Sequence, residues 1–244
     1  MASDPKIKQI TPSGQFKSAF DLIDELPGLP VFLSKQIAGI LLERRECHYR
    51  SNSLVQDGIH ARPRSFFVKD GLLKLYKHDE YGAEVVILVF GPGELIINAI
   101  KQFNGFQGLY IACLTDATLI PLDQQALAHA LSTDVEFLLN ILKLQNDYFL
   151  TASDRFRKDQ SEAANKILAT IIYIASKWSS NQRNIDIVSQ IGHQQFATLA
   201  NVARETFSRV LSKLKANDYI ITDGAGSMAL TDKAFKRISE SFFD

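Results

Sequence analysis

The chain has few of the residues that build covalent or metal-held frameworks. Cysteine occurs only twice, as Cys47 and Cys113. Two thiols so far apart cannot supply a zinc or iron–sulfur ligand set within one chain, so they read as reduced, mostly buried side chains. Net charge is missing as well. The 27 Lys and Arg are matched by 27 Asp and Glu, so attraction to a polyanion has to come from how charge is distributed. No apolar run approaches the ~20 residues of a membrane span. The opening MASDPKIKQITPSG lacks the charged-then-apolar layout of a secretory leader. The expectation is a cytoplasmic protein with no membrane partner. The chain also has no nucleophile–base pair, metal-ligand cluster or phosphate loop, and GPGE at 91–94 is too short for the last. An enzyme is therefore not expected.

What is present is ordinary globular material. Of 244 residues, 46% are hydrophobic and 22% charged, which suits one large domain or two small ones. Residues 16–45 mix helical spacing with breaks at Pro27, Gly28 and Pro30, and read as short helices. From Glu46 to Asp123 short β-prone runs alternate with turn signals: SFFVKDG, LLKLYKHDEYG, EVVILVFGPGE and LYIACLTDATLIPLD. Strands at such regular spacing predict an all-β barrel or sandwich, with DEYG at 79–82 as a hairpin connection.

A long helix is predicted next. Thr133 and Glu136 form a capping-box pattern, with Asp134 in the first turn. Val135, Leu138, Leu142, Gln145, Phe149, Ala152 and Phe156 recur at alternating spacings of three and four, a heptad seam of the kind a two-helix contact wants. Gln145 is a polar intruder of the type that fixes register. Phe137, Ile141, Leu144 and Tyr148 make a second stripe. One stripe then faces the β domain and the other a second copy of the helix; the alternative is a helix sunk in its own domain's core. The helix ends near Arg157, and Asp159 with Glu162 suggests a new cap. Ala164, Ile167, Leu168, Ile171, Ile172, Ala175 and Trp178 give the following helix an apolar face.

IDIVSQI, 185–191, reads as a short strand. Two short helices follow, at about 193–200 and 203–216, separated by the tight connection of a helix–turn–helix. Asn201 stands at the turn, where positive φ is wanted. YIITDGAGSMALT then suggests a hairpin, making the unit winged. On the second helix Phe207, Val210, Leu211 and Leu214 face inward. Arg204, Glu205, Ser208 and Arg209 leave the opposite side near its N-terminal end, where a recognition helix meets base edges. Arg can clamp guanine and Glu can accept from cytosine N4. Thr206, Lys213 and, on the first helix, Gln195 complete the candidate DNA-binding set. Segment 204–215 carries four cations against one carboxylate, which a solvated helix also tolerates, and Glu205 can simply pair with Arg209 four residues on.

RETFSRVLSKLKANDYI resembles the signature of the bacterial Crp/Fnr family of transcription regulators, in which R-E-T-x-S-R opens the recognition helix. FFVKDGLLKLYKHDEYGAEVVILVFGPGEL resembles the middle of that family's cyclic-nucleotide-binding β-roll. The resemblance covers nearly the whole chain. It implies an α+β fold: an N-terminal double-stranded β-roll with flanking helices over 1–131, a dimerisation helix over 132–158, and a winged helix–turn–helix over 159–244. It implies a homodimer on double-stranded DNA with a pseudo-palindromic site, with RNA polymerase as a further partner. It also carries base-contacting roles to Arg204, Glu205 and Arg209. Gly192 stands where Thr or Ser is common, and Asn201 where Gly is usual.

The resemblance weakens at the effector pocket. Members that bind cyclic AMP hold the phosphate with a Gly-Glu pair and a later Arg-Ser pair. Gly93 and Glu94 are present, but the Arg-Ser position falls at Gln107 and Gly108, and Leu95–Ile111 holds one cation, Lys101. A buried phosphate without its Arg loses several kcal/mol, roughly, of pairing. Cyclic nucleotide is therefore not expected in the usual mode, and Glu94 can instead close the turn after FGPG. Haem occurs in the family, yet His48, His60, His78, His129 and His193 stand in no ligand-like context, so no cofactor or metal is assigned. The competing reading keeps the β-roll as an effector- or protein-binding module and uses the winged helix for protein contacts.

Overall fold

The computed structural model describes residues 37, 40, 45–57, 64–97, 108–157, 162–178, 183–224 and 226–240, and side chains of the long helix as far as 153. The expected helices over 16–45 lie outside the described residues apart from Ile37, Ile40 and Arg45, as do Asp159, Lys101, His60 and Gln107.

The β-prone runs form strands β1 (Cys47–Tyr49), β2 (Leu54–Gln56), β3 (Phe66–Asp70), β4 (Leu73–His78), β5 (Glu84–Phe90), β6 (Leu95–Ile96), β7 (Tyr110–Cys113) and β8 (Ala117–Pro121). They pair antiparallel into two four-stranded sheets, ordered β1-β8-β3-β6 and β2-β7-β4-β5. The β4–β5 hairpin turns at DEYG, where Asp79 Oδ1 accepts hydrogen bonds from the backbone N–H groups of Tyr81 (2.9 Å) and Ala83 (2.8 Å). Between the sheets lie Phe66, Val68, Leu73, Leu75, Leu88 and Phe90. Leu72, Tyr76, Val86 and Val89 belong to a different core, shared with the C-terminal helices. The second sheet is thus covered on both faces, which is why β5 reads as a continuous apolar run after Glu84 and the first four residues of β4 are all buried.

Helix α1 (Gln124–Thr133) follows, capped by Asp123, whose Oδ1 accepts from the N–H groups of Gln125 and Ala126. The sequence reading had no separate helix here. The long helix α2 (Val135–Arg157) starts at Asp134, whose Oδ1 accepts from Phe137 N–H at 2.9 Å. The capping residue is therefore Asp134 and not Thr133, whose hydroxyl donates back to the His129 carbonyl at the end of α1. The stripe of Phe137, Ile141, Leu144 and Tyr148 packs on the roll. Tyr148 donates its hydroxyl to the Leu95 carbonyl (3.1 Å) and sets its ring edge-on to Phe90.

The C-terminal part holds α3 (Ala163–Trp178), α4 (Ile187–Ile191), α5 (His193–Leu199), α6 (Arg204–Ala216), β9 (Ile220–Thr222), β10 (Met228–Leu230) and α7 (Asp232–Glu240). IDIVSQI is not a strand. Only Asn184 bridges to Ala229, and Ile187, Val188 and Ile191 then bury one side of a short helix. Their i, i+1, i+4 spacing serves a helix as well as β-branched composition serves a strand, and the core on one side decides.

Helix α3 seats on β5, the edge strand of the second sheet. The Tyr173 hydroxyl donates to the Val89 carbonyl and accepts from the Val89 N–H, both at 3.1 Å. One side chain thereby satisfies backbone groups an edge strand leaves open. At Gly91 the approach is closer still: a Cβ there would lie 2.4 Å from the Lys177 carbonyl oxygen, so only glycine fits without a shift.

Candidate nucleic-acid interface

The helix–turn–helix is built from α5, the turn Ala200–Ala203, and α6. Gly192, with φ of 82°, ends α4 and opens α5. Asn201 takes φ of 50°, the left-handed conformation expected for it. The turn is closed by N–H donations from Asn201 to Thr198 O and from Val202 to Ala197 O. Phe196 stacks on Phe207 with centroids 5.6 Å apart, and Ala197, fully buried, lets the two helices approach. Phe207, Val210, Leu211 and Leu214 are all buried. The core under α6 is thus the one the sequence predicts.

The opposite face of α6 is open. Arg204, Glu205, Arg209 and Lys213 are exposed, and none of the four makes an ion pair with a described residue. Glu205 and Arg209 do not pair. Thr206 is half-buried, and Ser208, also half-buried, shares a 2.9 Å hydrogen bond with His193 Nδ1. His193 also lies edge-on to Phe207. Sequence reasoning gave His193 no role; it opens α5 and reaches across to α6, 15 residues on at Ser208, and nothing in the spacing pointed there. Gln195 is turned the other way, onto the β-roll. It donates through Nε2 to Asn52 Oδ1 (2.8 Å) and accepts from Lys74 Nζ (3.2 Å). It is not brought together with Arg204 and Arg209. The wing, β9 paired with β10, turns through Asp223–Ser227, with Asp223 Oδ1 accepting from Ser227 N–H.

On α2 the apolar stripe left uncovered is Val135, Leu139, Leu142, Phe149 and Leu150, with Phe149 67% exposed. Leu138 and Gln145 are half-buried at its margin, and Ala152 packs with Tyr148 on the roll. A straight helix drifts about 20° per heptad from a 3.5-residue repeat, which carries Ala152 out of the predicted seam and brings Leu150 toward the open face, while Leu139 joins it as the i+4 neighbour of Val135. The Phe156 side chain lies outside the described set.

At the expected effector position, Gly93 (φ 85°) and Gly108 (φ 82°) occupy turns. Glu94 closes its own turn: Oε2 accepts from Gly91 N–H (2.7 Å) and Oε1 from Lys177 Nζ on α3. Both carboxylate oxygens are engaged within the chain. Burial pushes the Cys113 thiol up to about 12, leaving it protonated and unreactive at neutral pH. Among the described residues no three His, Cys, Asp or Glu side chains cluster as a metal site, and no helix is long and apolar enough to cross a membrane.

Comparison with known proteins agrees with this architecture. Residues 165–234 match the model of the Crp-like helix-turn-helix domain. Transcriptional regulator SdrP of Thermus thermophilus is 24% identical over 183 residues, covering 74% of this chain and 86% of SdrP. The structure of FixK2 from Bradyrhizobium japonicum superposes with a TM-score of 0.69 at 15% identity, over 80% of this chain and 96% of FixK2. The c-di-GMP responsive global regulator CLP of Xanthomonas campestris gives a TM-score of 0.56 at 17% identity, over 76% and 93% of the two chains. A β-roll, a long helix and a winged helix–turn–helix define a DNA-binding transcription regulator. More narrowly, residues 165–234 carry a Crp-like helix-turn-helix domain, and the fold is similar to that of solved regulators of the CRP/FNR family.

Proposed function

We propose that this protein acts as a homodimer that reads a pseudo-palindromic DNA site through Arg204, Glu205 and Arg209, with Lys213 on phosphate. The observation that carries the reading is the open polar face of α6, where these side chains stand exposed without ion-pair partners among the described residues, over a fully packed inner face. Unpaired guanidinium groups at the N-terminal end of such a helix are free to clamp guanine O6 and N7 in the major groove. Thr206 and Ser208 flank them, and Ser208 is oriented by His193.

Dimerisation uses the bare stripe of α2. An isolated monomer would leave Val135, Leu139, Leu142, Phe149 and Leu150 in water, and a two-fold copy of the same stripe covers them. Residues 1–131, 132–158 and 159–244 serve as sensor, dimer helix and reader. The sensor takes no cyclic nucleotide in the usual mode. Supporting this is the engagement of both Glu94 oxygens by Gly91 and Lys177, which holds the carboxylate in its own turn and against α3 and takes up about half of its acceptor sites. Calorimetry with cyclic AMP and cyclic GMP tests the point, and micromolar binding would overturn it. Selection of bound duplexes from a random pool tests the main reading. Enrichment of a two-fold symmetric sequence, half-sites about one helical turn apart, is the expected result. Recovery of no preferred sequence would favour the protein-contact role for the winged helix.

A further inference from the structure

Lys74 is the only charged side chain buried among the described residues, at 4% exposure. It projects from β4 on the outer face of the second sheet, between Leu72 and Tyr76, which both pack against the C-terminal helices. Its ammonium pairs with Glu84 of β5, donates to Gln195 Oε1 of α5, and lies 4.8 Å from the Tyr76 ring centroid. Gln195 passes the chain on to Asn52. A four-residue polar node therefore crosses from the roll into the first helix of the helix–turn–helix. The surrounding contacts are apolar and so have no directional preference of their own. A buried ion pair adds little stability compared with an apolar replacement, but it can select one arrangement among several. The reading face of α6 stays exposed in this docked arrangement, so the node does not hide it.

We propose that Lys74 and Gln195 are positioning residues whose hydrogen bond fixes the winged helix in one register on the outer sheet and so sets the separation of the two reading helices in the dimer. This rests on the DNA-reading function above. Half-site spacing is the geometric output of that register, and one base pair more or less between half-sites rotates one by roughly a tenth of a turn and moves it about 3.4 Å.

The test uses full-length protein on duplexes carrying the selected site with its native spacer and with one base pair inserted or removed. Wild type is expected to prefer native spacing by about tenfold or more, each tenfold being about 1.4 kcal/mol. Lys74→Met and Gln195→Ala are expected to fall to within about threefold, measured well below the melting temperature of each variant, since removing one partner of a buried polar pair also lowers stability. Gln195→Glu keeps an acceptor for Lys74 and is expected to retain the preference. If both disruptive variants discriminate spacing as wild type does, or gain affinity equally for every spacer, this inference alone is overturned. A wild type that prefers no sequence overturns both it and the DNA-reading proposal.

Discussion

Asn201 shows how a single residue carries a motif. Its backbone sits at φ of 50°, where an L-residue with a Cβ and no compensating side-chain bond costs about 1–2 kcal/mol. Asn201→Ala should lower stability by about 1 kcal/mol, and Asn201→Gly should change it by only a few tenths; thermal melts of the two variants check this. The residue was legible in the sequence because few side chains tolerate that conformation. Gln195 was not legible. A half-buried polar residue on a seven-residue helix satisfies the spacing rule equally well facing DNA or facing a neighbouring domain. Its partners, Asn52 and Lys74, lie 143 and 121 residues away. His193 escaped notice for a related reason: its contact with Ser208 crosses the turn, and no periodicity encodes it.

Helix α2 tests how far pattern reaches at the level of an element. Two apolar stripes predicted two buried faces, and the roll covers one of them through Phe137, Ile141 and Tyr148. The other is bare, and its centre is shifted from the heptad seam: Leu139 lies beside Val135 from the start, and Leu150 enters because a straight helix does not keep a seven-residue repeat. Leu142→Asp on this face should convert a dimer to a monomer in analytical ultracentrifugation while leaving the roll folded, since the site is exposed in the single chain. A monomeric wild type would contradict the assignment. Tyr148 belongs to the covered stripe. Tyr148→Phe should keep the dimer and cost about 1 kcal/mol for the lost bond to the Leu95 carbonyl, read as a lower melting temperature. The short elements were the poorly legible ones: α4 is too brief for period alone to tell helix from strand, and α1 was not read as a helix at all, lying between the last β-prone run and the cap at the start of α2.

At the scale of the molecule, the second sheet is the junction of the protein, with the roll's core on one face and the winged helix on the other. That double coverage was written into β5 as an apolar run from Val85 to Phe90, but which domain supplied the outer cover was not, since hydrophobic pattern names no partner. The same burial sets the response to alkali. Burial raises the pKa of Tyr49 and Tyr148 and takes Cys113 to about 12. The folded chain then holds protons that the unfolded chain releases above its ordinary thiol and phenol values. Stability from these groups is complete below about pH 8.5, the unfolded thiol value, and is lost as pH rises toward 12. Melting temperature should therefore fall progressively above that point, and Cys113→Ala should lessen the first part of the fall. A profile unchanged by that substitution would contradict the buried-thiol account.

The central claim is that the open face of α6 reads bases, and the most direct measurement is the affinity of Arg209→Ala for every single-base variant of the selected site. The account predicts a loss of ~1–3 kcal/mol, confined to one position in each half-site, where discrimination among the four bases disappears. Lys213→Ala in the same assay should weaken all sequences alike. If Arg209→Ala also weakens every sequence equally, the side chain contacts only phosphate, and the base-reading assignment fails.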